Sequence, residues 1–276
     1  METIREIPGE AWQVVSAKFT GHLLEYLLIA GGAYVIFYIL LRRRLSGRKI
    51  QPAFPKLPQM RREVLFSLLS FVVFGFSALL TVMLQRAGWG QIYVGIDSLG
   101  WGYFVFSVAA IILIHDTWFY WTHRLLHWRP LFRVVHRVHH LSHNPTPWAS
   151  FSFHPLEAAS HAIMFPLVAV VLPMHVSVVG IWLLYMTVMN VGGHLGFEIL
   201  PRGFARHRLL GWHNTSVHHD MHHHRVHCNF GLYFNVWDRL MGTNHPDYLA
   251  EHDRITAGSA ADSVEPTGGA EPEKVG

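Results

Sequence analysis

Residues 21–41 and 64–84 form two runs of 21 amino acids whose only charged or histidine side chains are His22 and Glu25, near the start of the first. An α-helix needs about 20 apolar residues to cross the roughly 30 Å hydrocarbon layer of a bilayer. In lipid, only a helix or a closed barrel can satisfy its own backbone polar groups. The two runs therefore point to helices in a membrane. Composition agrees: 14% of the chain is charged and 51% apolar, whereas a soluble domain carries about a quarter charged residues. A soluble helical protein burying both runs is the weaker alternative, and a disordered chain is excluded.

Residues 99–114 read as a third, shorter segment, whose helical pattern continues through Asp116, Trp118, Tyr120 and Trp121 as an interfacial aromatic belt. Residues 156–172 and 176–200 are apolar but interrupted by His161, Pro166, Pro173, Asn190 and His194. They fit either two spans or one re-entrant hairpin. If all five segments cross, 19 of the 22 lysines and arginines fall on one side, which the positive-inside rule assigns to the cytoplasm. The net charge of +4 then belongs to a membrane surface, and nucleic acid is not an expected partner. The first apolar run lacks the basic leader and small-residue cleavage site of a signal peptide. The single cysteine, Cys228, excludes a disulfide scaffold, a cysteine zinc site and an iron–sulfur cluster. With no resolving partner it is expected to be inert.

Histidine carries the chemistry. Nineteen of the 22 histidines lie within 115–227, several at helical spacing. His123 and His127 stand one turn apart; His136, His139 and His140 form HxxHH, and His219, His222 and His223 repeat it. Asn190 and His194 are another i, i+4 pair. Neutral imidazole suits iron, zinc, copper and nickel. Eight clustered nitrogens, or nine with His194, exceed the four of one tetrahedral zinc, so the surplus points to two metal ions. Buried imidazoles otherwise need hydrogen-bond partners. The candidate ligands are thus His123, His127, His136, His139, His140, His194, His219, His222 and His223.

Six further residues are weaker candidates, as ligands or as partners of a ligand's second nitrogen: His115, Asp116, His154, Asn190, His218 and Asp220. Of the carboxylates Asp116, Glu157, Glu198, Asp220 and Asp238, Asp116 and Asp220 lie nearest the clusters in sequence and are the expected hydrogen-bond acceptors. His143, His161, His175, His207, His213, His224 and His227 read as polar surface or satisfied interior. No catalytic residue beyond the ligands is indicated. The fold class is all-α: an integral membrane helical bundle of about four or five membrane segments, with a cytoplasmic histidine-rich helical cap holding a di-metal site. It divides into N-terminal membrane helices (1–110), a catalytic region with two further membrane segments (111–250) and a disordered tail (251–276).

HRLLH (123–127), HRVHH (136–140) and HHDMHH (218–223), followed by NFGLYFNVWDRLMGT (229–243), resemble the fatty acid hydroxylase / sterol desaturase superfamily. NPTPWASFSFHPLE (144–157) is most similar to the sterol C5-desaturase branch. The resemblance covers about 110–245. It implies a membrane enzyme with a histidine-held pair of irons (zinc could substitute in a purified sample) that uses dioxygen to hydroxylate or desaturate a lipid, sterol-like or fatty acyl. It implies His194 as the additional ligand between the second and third clusters. Asn190 stands where some members carry another histidine. No haem, flavin or iron–sulfur motif is present, so a separate ferredoxin- or cytochrome-type electron donor is implied. Arg124, Arg129, Arg133 and Arg137 could dock it or meet anionic headgroups. The rivals are a zinc hydrolase, which lacks its HExxH here, and a metal transporter, which would place its ionisable residues mid-membrane.

Overall fold

The apolar runs become helices that outlast them. In the computed structural model, which describes residues 7–257, four helices are long and apolar enough to cross a membrane: Gly9–Leu40, Leu57–Arg86, Gly100–Leu126 and Val176–Gly193. The first, α1, is α-helical over Ile7–Tyr26 and widens into π-helical turns at Leu27–Gly31 and Val35–Leu40. α2, Leu57–Arg86, starts with a proline in its first turn, where the missing N–H is not needed. It ends beside Gly88, whose φ of 81° suits glycine. α3 is Gly100–Leu126. After it come the short α4 (Arg137–His140), α5 (Pro155–Ala162), α6 (Met164–Val171) and α7 (Val176–Gly193). α8 (Ser216–Arg225), α9 (Val236–Leu240) and α10 (Tyr248–Ala257) complete the described residues. The fold is an all-α membrane bundle. Its one sheet among the described residues is the parallel pair Ile92–Tyr93 and Met174–His175.

α1 and α2 run antiparallel. Glu10 pairs with Arg86 at 2.6 Å near one end, and Gly75 lets the α1 backbone approach so closely that a Cβ there would lie 3.1 Å from the Val15 carbonyl. The segment after α4 is stitched down α2 by side chains spaced along that helix. Arg62 donates to Leu141 O (2.8 Å), Gln59 to Asn144 O (2.8 Å), Ser67 to Trp148 O (3.1 Å) and Ser77 to Ala162 O (2.8 Å). The last bond explains how a broken helix survives there. Pro166 has no N–H for the Ala162 carbonyl, and the Ser77 hydroxyl takes its place.

The fourth apolar segment is therefore not a continuous helix but two, α5 and α6, and it packs against α7, where the Phe165 and Trp182 rings stack at 5.3 Å. Its far end lies beside the loop after α2, where Gln91 N donates to Ala169 O at 2.8 Å. The other end of the bundle gathers the linker after α1 and every clustered histidine: Gln51 donates to His143 O, and Arg48 to Leu200 O, both at 2.8 Å. Three expectations need correction. α7 stops at Gly193, and residues 194–200 form a loop. Tyr120 is buried, stacked on Trp237, and Trp118 donates to Ser160 O, so of the expected belt only Trp121 is exposed; the polar tips found partners inside the protein. Residues 251–257 of the expected tail are helical, with Ile255 buried beside Val217 and Met221; the rest of the tail lies outside the described residues.

Candidate metal centre

The nine candidate ligands come from four places. The end of α3 supplies His123 and His127, and the turn into α4 supplies His136, His139 and His140. His194 follows α7, and α8 supplies His219, His222 and His223. Their nitrogens form two groups, each within 4.8 Å: His123, His127, His136, His140 and His222 in one, and His139, His194, His219 and His223 in the other. Each HxxHH is divided. His136 and His140, one turn apart, face the first group while His139 faces the second; on α8, His219 and His223 face the second and His222 the first. The groups abut, with the His140 and His223 rings 5.1 Å apart and those of His219 and His222 5.6 Å apart.

The outer ring nitrogens determine what the inner ones are. Nδ1 of His123 donates to Phe230 O (2.8 Å), of His139 to Ser152 O (3.3 Å), of His194 to Asn190 O (2.7 Å) and of His222 to Cys228 O (2.6 Å). His136 Nδ1 lies 2.7 Å from Glu157 Oε1, a carboxylate with no exposure. A carbonyl can only accept, so the Nδ1 facing it carries the proton, and in a neutral ring Nε2 is a bare lone pair. Yet the Nε2 atoms of His139 and His194, both facing carbonyls through Nδ1, are 3.4 Å apart. Protonation does not relieve this. Burial holds His136 and His139 well below the ordinary imidazole range and brings His140 to about 3 and His194 to about 4. A cation between the rings does relieve it, and the donor set suits iron or zinc. Both ring nitrogens of His127 and His140 are buried and unpartnered, as ligands awaiting a metal would be.

The weaker candidates separate from these groups. His115 bonds the Tyr233 hydroxyl at 2.7 Å, two turns below His123. His154 caps α5, accepting from Leu156 N. His218, one turn before His222 on α8, bonds Asn244 (3.2 Å) and lies beside Asp238 instead of joining either group. Asp116 accepts from Tyr233 N and Phe234 N, and Asp220 from Gln51; neither touches a clustered imidazole, because sequence neighbours on a helix point about 100° apart. Asn190 is at the site, but through its carbonyl. The acceptor role expected of Asp116 and Asp220 falls instead to Glu157 and to backbone carbonyls.

Two of those carbonyls sit on the loop after α8, which turns sharply at Val226 (φ 69°) and Asn229 (φ 58°). Asp238 fixes it, accepting from Phe230 N and Gly231 N at 2.8 Å each. A carbonyl leaves no side-chain signature, so nothing in the residue types marked positions 228 and 230. Cys228 itself is buried and its thiol is pushed up to about 11, in keeping with an inert side chain.

Two openings flank the groups. An apolar cavity at membrane depth lies between α1, α2, α3 and α7, lined among others by Phe74, Phe119, Phe153, Phe165, Trp182 and Leu232. Phe119 packs 5.0 Å from His123 and Phe153 5.1 Å from His139, so one ring of the cavity wall touches each group. On the opposite side, a crater of about 640 Å³ lined by Arg129, Arg133, Arg137 and Arg225 opens onto His127 and His140.

Membrane-length helices, two abutting nests of imidazole and an apolar cavity beside them define a multi-pass membrane oxidoreductase of lipids. Residues 108–243 match the fatty acid hydroxylase family model, and the chain belongs to that family, on its sterol desaturase side. It is 30% identical over 238 residues to the lathosterol oxidase of Rattus norvegicus, covering 85% of this chain and 76% of the relative. A Delta(7)-sterol 5(6)-desaturase of Gibberella zeae is 29% identical, with 79% and 68% covered. A methylsterol monooxygenase of Aspergillus fumigatus is 27% identical, with 51% and 48% covered. No solved structure matches.

Proposed function

We propose that the nine clustered histidines hold two iron ions and that the protein uses dioxygen and two external electrons to oxidise a C–H bond of a sterol-like lipid. The facing Nε2 atoms of His139 and His194, both left without a proton because each Nδ1 donates to a carbonyl, carry this reading, because a cation is the partner that satisfies both. When bound, the irons supply reduction of dioxygen to an oxidant able to take hydrogen from unactivated carbon. The balance is one dioxygen, two electrons and two protons per lipid, yielding an alcohol and one water, or an alkene and two waters.

The chain's own residues do the rest. The carbonyls and Glu157 orient the imidazoles. Phe119 and Phe153 bring apolar walls to the edge of both groups, so a lipid reaching them leaves water behind. The lipid comes from the bilayer, between helices whose outer faces are apolar. The crater's arginines face no carboxylate in its lining and attract an acidic ferredoxin or cytochrome. Among the described residues every lysine and arginine except Lys18 and Arg86 lies in the segments at the histidine end, which supports that end lying in the cytoplasm.

Purified protein should contain close to two iron atoms. Comparative lipid mass spectrometry of cells with and without it, under air and under nitrogen, should show an oxygen-dependent product. His139→Ala should abolish that product while membrane insertion persists. Full activity in a variant lacking both His139 and His222 would overturn the assignment.

A further inference from the structure

One polar side chain in the cavity wall serves none of the roles above. His161, on α5, is 9% exposed and lines the cavity, and both its ring nitrogens lack a hydrogen-bond partner. Of the other polar side chains in the lining, Ser77 bonds Ala162 O, His115 bonds Tyr233 and Asn190 bonds Ser150 O, while Lys18 is exposed and the half-buried His22 lies 4.0 Å from Glu25. The nearest group to His161 is Glu157, whose Oε1 is 4.0 Å away, beyond hydrogen-bond reach and already bonded to His136. An unpartnered imidazole at this depth is costly, since lipid offers no hydrogen bond.

Its position adds a second constraint. The His161 ring stacks on Phe119 at 4.9 Å and lies 5.6 Å from Phe153. Those are the two rings that touch His123 and His139, one in each metal group. A polar atom held by His161 therefore sits about one aromatic ring away from both groups. We infer that His161 is the specificity-determining contact of the cavity: it hydrogen-bonds the hydroxyl of the lipid and so selects the alcohol over its deoxy counterpart. The inference rests on the lipid-oxidase reading and adds to it the residue that reads the substrate.

The test compares two probes on metal-loaded full-length protein in lipid nanodiscs: lathosterol, and the same steroid lacking its hydroxyl. The native protein should bind the hydroxysteroid about ten- to a hundredfold more tightly, the range of one buried hydrogen bond. His161→Phe keeps the ring's bulk and should bring the two within about twofold, while His161→Gln should restore most of the preference. Metal content should be the same in all three, which separates loss of a contact from loss of fold. Equal binding of both probes, binding of neither, or a preference that survives His161→Phe would overturn the inference. Lipid oxidation is read separately. An oxygen-dependent product without hydroxyl preference sinks this inference alone, and hydroxyl preference without any product sinks the oxidase reading instead.

Discussion

At the level of single residues, the site depends on which ring nitrogen carries the proton. Glu157 is buried against His136, and it is the only carboxylate bonded to a clustered imidazole among the described residues. Glu157→Leu should therefore weaken metal binding about 10–100-fold, while Glu157→Gln, which keeps an acceptor oxygen, should retain most of it; metal titration of stripped protein measures both. Protonation supplies a second prediction. His140 near 3 and His194 near 4 are held below the unfolded imidazole value of about 6.5. Below pH 6.5 the unfolded state thus binds more protons than the folded one, and stability falls as pH drops towards the folded values. Each such histidine should remove about 1.4 kcal/mol per pH unit below 6.5. The thermal midpoint of metal-stripped protein should drop steeply from pH 7 to 5.5, and metal-loaded protein should hold out further into acid. A flat profile for the stripped protein would contradict the buried neutral state. The ligand spacing itself was legible, because i, i+3 and i+4 on a helix share a face. The division of each HxxHH between two groups was not, since it depends on where the facing helix places its own rings.

Among the elements, the loops hold the imidazoles in register. His194 leaves α7 on a turn completed by Gly196, whose φ is 72° and whose Cβ would fall 2.4 Å from the Tyr38 hydroxyl. That hydroxyl donates to Leu195 O at 3.1 Å, tying α1 to the turn. Gly196→Ala combines a disfavoured conformation with a collision, and should cost about 1–3 kcal/mol. Thermal unfolding should show a fall of a few degrees, together with poorer metal retention in the group containing His194; an unchanged midpoint would mean that Tyr38 moves aside freely. Hydropathy made the long helices visible because lipid imposes length and apolarity together. It marked Pro166 as an interruption but not the repair, since Ser77 comes from another part of the chain, and it ran α7 on to residue 200 because Leu195, Phe197 and Ile199 are apolar in a loop as they would be in a helix.

Across the whole molecule, the two openings give the metal groups unlike surroundings. One side is an aromatic cavity at membrane depth; the other is a crater of exposed arginines over His127 and His140. The excess of basic residues at this end was evident from the sequence. Their convergence around a passage to two clustered histidines was not, because Arg225 arrives from α8 and Arg129 and Arg133 from the turn after α3. If the crater receives an acidic electron carrier, attraction between unlike charges sets the association rate and weakens with salt. Replacing Arg129, Arg133 and Arg225 together with glutamine should then lower donor-driven turnover about tenfold at low ionic strength and flatten its salt dependence. Metal content and turnover driven by a small chemical reductant should stay near native, since none of the three side chains lies in either histidine group. A variant that kept the native salt dependence with the protein donor would place docking elsewhere and leave these arginines to the lipid headgroups.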